Sequence, residues 1–199
     1  MNIFWYGKNS VGIDSGENSL VASPLDLEKE LKPASSAGKS ARGADVVLAS
    51  KEGEADRNIK TNSFLINNPG EYDVKGFFVM GFGGFGENMA YTIETEGARV
   101  CHLSGLDKEL TDGQIESLSD IDILLIDIGI TEDSNEIASK IVNQIEPRIV
   151  IPIGYNPEKK ASVFFKEMGA SEVEPQNKLN IKKKDLPQEE TKMVVLNVS

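Results

Sequence analysis

The chain has 199 residues, of which 39% are hydrophobic and 27% charged, a balance that suits a single domain over 1–199 with a sizeable core. Its net charge of −11 and the lack of a basic stripe with interleaved aromatics exclude nucleic acid as a partner. No apolar run approaches the ~18 residues of a membrane span, the opening MNIFWYGKNS has no secretory pattern, and the one cysteine, Cys101, cannot close an internal disulfide, so a cytoplasmic location is expected.

The first half reads as short strands with tight connections. NIFWYG, SVGID and SLVAS are separated by Gly7-Lys8-Asn9 and Ser15-Gly16-Glu17-Asn18, which predicts a β-meander. PLDLEKELKP has room for a helical turn, and ASSAGKSARG reads as a polar loop. ADVVLAS and SFLINN follow as strands, then a turn at Pro69-Gly70. YDVKGFFVMGF alternates as one half-buried strand. MAYTIETEG and ARVCHLSG predict a hairpin around Glu96-Gly97.

The second half changes character. TDGQIESL predicts a short helix with Thr111 as N-cap. DIDILLIDIG is continuously apolar, as a strand covered on both faces must be. SNEIASKIVNQIEP puts Ile137, Ala138, Ile141, Val142 and Ile145 on one helical face, with Pro147 beyond its end. RIVIPIGY is a second buried strand. A helix is predicted from Pro157 to Gly169, with Ala161, Phe164, Phe165 and Met168 as its apolar stripe. The basic KLNIKKKDLP (178–187) reads as a solvated edge strand guarded by lysines, and TKMVVLNVS as a closing strand. Strand-rich material followed by β-α-β-α-β fits two sheets with helices packed outside.

Few motifs carry chemistry. GFGGFG (Gly81, Gly83, Gly86) matches G-x-G-x-x-G, but the dinucleotide fingerprint needs a helix next, and ENMAYTIE reads as a strand. SSAGKS ends like a phosphate loop, yet Pro33 stands where its first glycine belongs. Cys101 and His102 are strand neighbours and point to opposite faces, so they do not share a metal from regular geometry. Glu52, Glu54, Asp56, Asp122 and Asp127 leave an oxygen-only cation site open. Asp127 stands out because it ends the apolar run ILLI, where either a functional or a turn role is available.

Taken in order, these segments resemble the metallo-β-lactamase superfamily, nearest its ascorbate-6-phosphate lactonase-like branch of Zn-dependent hydrolases. IFWYGKNSVGID is similar to that branch's opening, ADVVLAS to the strand before the metal loop, and NPGEYDVKGFFVMG to a segment typical of the branch. ARVCHLSGL lies where the family has H-x-G-D, and IEPRIVIPIGY where a strand ends in a metal-binding histidine. The resemblance implies a four-layer αββα sandwich of the α+β class, a zinc or manganese cofactor, and frequent oligomers. It also aligns the family's H-x-H-x-D-H loop with SKEGEADRN. There Lys51 and Gly53 replace two histidines, Asp56 keeps the aspartate and Arg57 replaces the last histidine. His102 keeps the next ligand. The bridging aspartate falls on Gly105 and the final histidine on Gly154, while Gly7-Lys8 stands for the opening Gly-His.

A zinc ion takes three or four His, Cys or carboxylate ligands, and a two-metal hydrolase needs two such sets around one hydroxide. One histidine in the whole chain is too few. The expectation is a non-catalytic protein without the binuclear centre and without a metal cofactor. Its old cleft, with Lys8, Lys51, Asp56, Arg57, His102, Asp127 and Gly154, would hold an anion or a partner segment, or be closed by an internal ion pair of Lys51 or Arg57 with Asp56 or Asp127. The alternatives are a rearranged hydrolase, lactonase or phosphoesterase in type, with any metal on Asp56, His102 and Asp127, and a structural subunit, as a homo-oligomer or paired with an active paralogue.

Overall fold

The computed structural model describes residues 1–23, 44–53, 63–86, 88–129, 131–157, 162–170 and 173–199. In chain order the strands are β1 (Asn2–Gly7), β2 (Ser10–Ser15), β3 (Asn18–Ala22), β4 (Val46–Leu48), β5 (Phe64–Ile66), β6 (Gly70–Val74), β7 (Phe77–Phe85), β8 (Asn88–Thr95), β9 (Ala98–Leu103), β10 (Ile123–Asp127), β11 (Ile149–Ile153), β12 (Leu179–Asn180) and β13 (Lys192–Met193). Helix α1 (Asp112–Ser117) precedes β10, α2 (Glu132–Ile145) joins β10 to β11, and α3 (Ser162–Glu167) follows β11.

The strands form two mixed sheets, β12-β1-β2-β3-β4-β5 and β13-β11-β10-β9-β8-β7-β6. The predicted meander is β1-β2-β3, antiparallel throughout, with β4 and β5 added in parallel. In β1 the alternation is strict: Ile3 and Trp5 are fully buried, while Phe4 and Tyr6 stack with ring centroids 6.4 Å apart on the other face. Gly12 makes that possible, because a Cβ there would lie 2.6 Å from the Tyr6 hydroxyl. In the second sheet β9, β10, β11 and β13 run parallel, and β10 and β11 are apolar nearly throughout because both faces are covered. Tyr91 spans the interior: its hydroxyl donates 2.8 Å to the Ala49 carbonyl beyond β4. Among the described residues Trp5, Tyr91, Phe77 and Phe164 are the largest fully buried side chains.

The helices follow their sequence signals. Thr111 caps α1 in a capping box with Gln114. Thr131 caps α2, accepting from the Ser134 N–H, and Glu146 ends it in the left-handed region at φ 51°. Ala138, Ile141 and Val142 are buried, with Ile137 and Ile145 packed beside them. Buried Asn135 donates to the Ile128 and Thr131 carbonyls and accepts the Phe164 N–H, so it ties α2 to β10 and α3. No helix among the described residues is long and apolar enough to cross a membrane.

Several readings need correction. YDVKGFFVMGF is two strands, not one. Lys75 and Gly76 both have positive φ (54° and 79°) and make the two-residue hairpin between β6 and β7. The closing strand is cut to Lys192–Met193. Beyond it the chain crosses toward the first sheet, where Val198 bridges to Trp5. The lysine-rich stretch pairs with β1 only at Leu179–Asn180. It then makes a 3-10 turn at Lys183–Asp185, because Lys183 is drawn to the buried Asp122 carboxylate at 2.6 Å. The predicted helix from Pro157 is described only from Ser162. PLDLEKELKP, ASSAGKSARG and its phosphate-loop-like SSAGKS lie outside the described residues.

Candidate functional site

Parallel order brings the C-terminal ends of β9, β10 and β11 side by side, the place where open α/β sheets present functional groups. The residues there are His102–Gly105, Asp127–Gly129 and Gly154. The β1–β2 turn (Gly7–Asn9) lies over them, because the Gly154 N–H donates 2.8 Å to the Lys8 carbonyl. Trp5 supports the turn from below: its Nε1–H donates 2.7 Å to the same carbonyl, and its ring stacks on Tyr155 at 5.0 Å.

His102 lies in register with Leu125 and Tyr91, so it faces the first sheet, while Cys101 takes the opposite face. His102 is fully buried, and its Nε2 is 2.8 Å from the Asn9 carbonyl. A carbonyl only accepts, so the proton sits on Nε2 and Nδ1 carries the lone pair. Among the described residues Nδ1 has no hydrogen-bond partner. Burial holds the imidazole below its ordinary pKa and therefore neutral.

Asp127 ends β10 half-buried. Its Oδ1 accepts the Gly129 N–H at 2.9 Å, the Asx-turn arrangement, and its Oδ2 accepts the Gly105 N–H at 3.2 Å. Its charge is thus met by backbone amides. Of the internal ion pairs expected there, Lys51 with Asp127 is not found among the described residues, and those of Arg57 or Asp56 lie outside them. Gly105 and Gly154 both take left-handed backbone, at φ 69° and 78°. A Cβ on Gly154 would collide with Asp127 Oδ1 and come within 2.9 Å of Asn9 Oδ1. A Cβ on Gly105 would lie 2.5 Å from Asn88 Nδ2, which itself donates to Ser104 Oγ at 3.2 Å.

The remaining candidates divide. Lys8 is exposed on the β1–β2 turn and Lys51 is exposed on the loop after β4. Glu52, on the same loop, reaches toward Gly83 of β7. Glu54, Asp56 and Arg57 lie outside the described residues. Asp122 is at the far end of β10 and binds Lys183, so it shares no site with Asp127. GFGGFG runs into β8, so the helix that a pyrophosphate needs is missing. Asn9 and Asn88 escaped the sequence reading. The only signal for them was indirect, since glycines at 105 and 154 leave side-chain space that some neighbour must fill.

The described residues do not fit a pair of zinc or manganese ions. His102 uses Nε2 as a donor, Asp127 uses both oxygens on backbone amides, and Gly105 and Gly154 carry no side chain and leave no space for one. Among the described residues no group of three or more His, Cys, Asp or Glu side chains comes together.

Comparison with known proteins agrees with this architecture. The chain matches a predicted Zn-dependent hydrolase of the metallo-β-lactamase superfamily from Thermotoga maritima at 26% identity and TM-score 0.73, over 98% of each chain. A predicted metal-dependent hydrolase from Parabacteroides distasonis matches at 14% identity and TM-score 0.64, over 98% of this chain and 93% of that one. The metallo-β-lactamase fold protein YhfI from Bacillus subtilis matches at 13% identity and TM-score 0.64, over 96% and 95%. These last two speak for the fold alone. No curated protein matches. A family model described as Beta-lactamase superfamily domain matches residues 2–154, most of the chain, so with the αββα arrangement of its sheets this protein belongs to the metallo-β-lactamase superfamily.

Proposed function

We propose that this chain is a non-catalytic member of the superfamily, working without zinc or manganese, whose cleft serves binding rather than hydrolysis. The observation that carries the reading is the occupied space at Gly154: the Asp127 carboxylate stands where the first side-chain atom of a metal-binding residue would be. The hydrogen bond from His102 to the Asn9 carbonyl supports it, since that nitrogen is spent on the protein itself. Lys8, exposed on the turn that lies over the cleft, is the described residue best suited to an anionic ligand or an acidic partner segment, with Lys51 on the loop after β4 as a second candidate, while Asp127 on the floor keeps such a charge at the rim.

Elemental analysis of protein purified without chelator tests the reading, alongside turnover of a lactone and of bis-p-nitrophenyl phosphate. The expected result is substoichiometric transition metal and no chelator-sensitive hydrolysis. Stoichiometric metal together with hydrolysis abolished by chelation would sink it.

A further inference from the structure

We propose that the Asp127 carboxylate is a positioning residue that cross-links the ends of β9, β10 and β11, the task left open where no metal centre ties them; this rests on the non-catalytic reading above. Each strand end touches it. The end of β9 reaches Oδ2 through the Gly105 N–H at 3.2 Å, and the segment after β10 reaches Oδ1 through the Gly129 N–H at 2.9 Å. The end of β11 lies so close that no Cβ fits at Gly154. The β1–β2 turn closes the group, with Asn9 Oδ1 against the same point and Lys8 accepting the Gly154 N–H.

Two consequences follow from this packing. Glycine at 154 and aspartate at 127 are one device, because the carboxylate occupies the space that the glycine leaves. Replacing either alone strains or empties the site, while replacing both relieves the collision with the carboxylate; what alanine at 154 then adds is the cost of its left-handed backbone and of its approach to Asn9 Oδ1. His102 is part of the readout, since it hangs from the same turn through Asn9.

The test is a double-mutant cycle on the full chain with Gly154→Ala, Asp127→Ala and the pair, adding Asp127→Asn as the conservative variant. In the wild-type background Gly154→Ala should lower Tm by about 10 °C, and in the Asp127→Ala background by only about 3 °C. If Gly154→Ala does not fold, a folded double variant supports the proposal and an unfolded one overturns it. Equal losses in both backgrounds also overturn it. The Nε2–H resonance of His102, the one histidine in the chain, should shift in Asp127→Ala and return toward wild type in Asp127→Asn; an unmoved resonance in Asp127→Ala counts against positioning. Titration with zinc chloride, and separately with EDTA, should leave the wild-type Tm unchanged. A saturable rise with zinc overturns the non-catalytic reading itself, an outcome the mutant cycle does not produce.

Discussion

The two ends of β10 carry the same side chain under opposite regimes. At the N-terminal end Asp122 is buried and held by ions: Lys183 Nζ at 2.6 Å and Arg148 Nε at 3.5 Å, with the Arg99 N–H at 2.9 Å. At the C-terminal end Asp127 is half-buried and held by the backbone amides of Gly105 and Gly129. The first end ties the second sheet to the 3-10 turn at 183–185 and is structural. The second faces the first sheet's β1–β2 turn, in the cleft. A buried carboxylate therefore says little until its partners are known: cations on long side chains mark a fastening, and amides at strand ends mark a shaped cavity.

The largest disturbance should come from the cleft end. Trp5→Ala removes a fully buried indole, its stack on Tyr155 and the support of the Lys8 carbonyl. A loss of about 3–5 kcal/mol in urea unfolding is expected. Asp122→Ala should follow, at about 2–3 kcal/mol, because the Arg99 amide and two cations lose their acceptor. Lys183→Met at the same contact should cost less than about 1 kcal/mol, since that lysine is half exposed and screened by water. If the two substitutions cost the same, the distinction between a buried acceptor and its solvated partner fails.

A smaller effect separates the ends by pH. Burial sets the folded pKa of His102 below its ordinary 6.5, so the unfolded chain takes up this proton more readily. The contribution of His102 to stability is whole above that ordinary value and is lost as pH falls through the folded one. The urea midpoint should decline from about pH 7.5 to about pH 5.5, and His102→Gln should flatten that decline. The smallest effect is chemical. Burial pushes the Cys101 thiol well up, so a thiol reagent should label it only after unfolding, and labelling of the native protein at the unfolded rate would contradict its place beneath the helices.

The fold was legible where one local signal decided the outcome. DIDILLIDIG read as a strand covered on both faces, Pro147 marked the end of α2, and Gly7-Lys8-Asn9 broke the meander where the turn lies. Legibility failed where a distant group decided. Lys75-Gly76 is a hairpin because two strands needed to pair, which alternation alone does not report. Lys183 left its edge strand for a carboxylate sixty-one positions away in sequence. In the cleft, the resemblance drew attention to the glycines at 105 and 154, but what fills their space, Asn88 and Asp127, is fixed only by three-dimensional packing. Asp56 and Arg57, the other half of the expected loop, lie outside the described residues.

Trp5 is the only tryptophan in the chain, and it stands beneath the turn that roofs the cleft, against Tyr155. The molecule thus carries its own optical gauge. A small molecule or peptide that lifts or clamps the turn alters the surroundings of the single indole, so selectively excited tryptophan emission can screen compound collections without any label or any assumption about turnover.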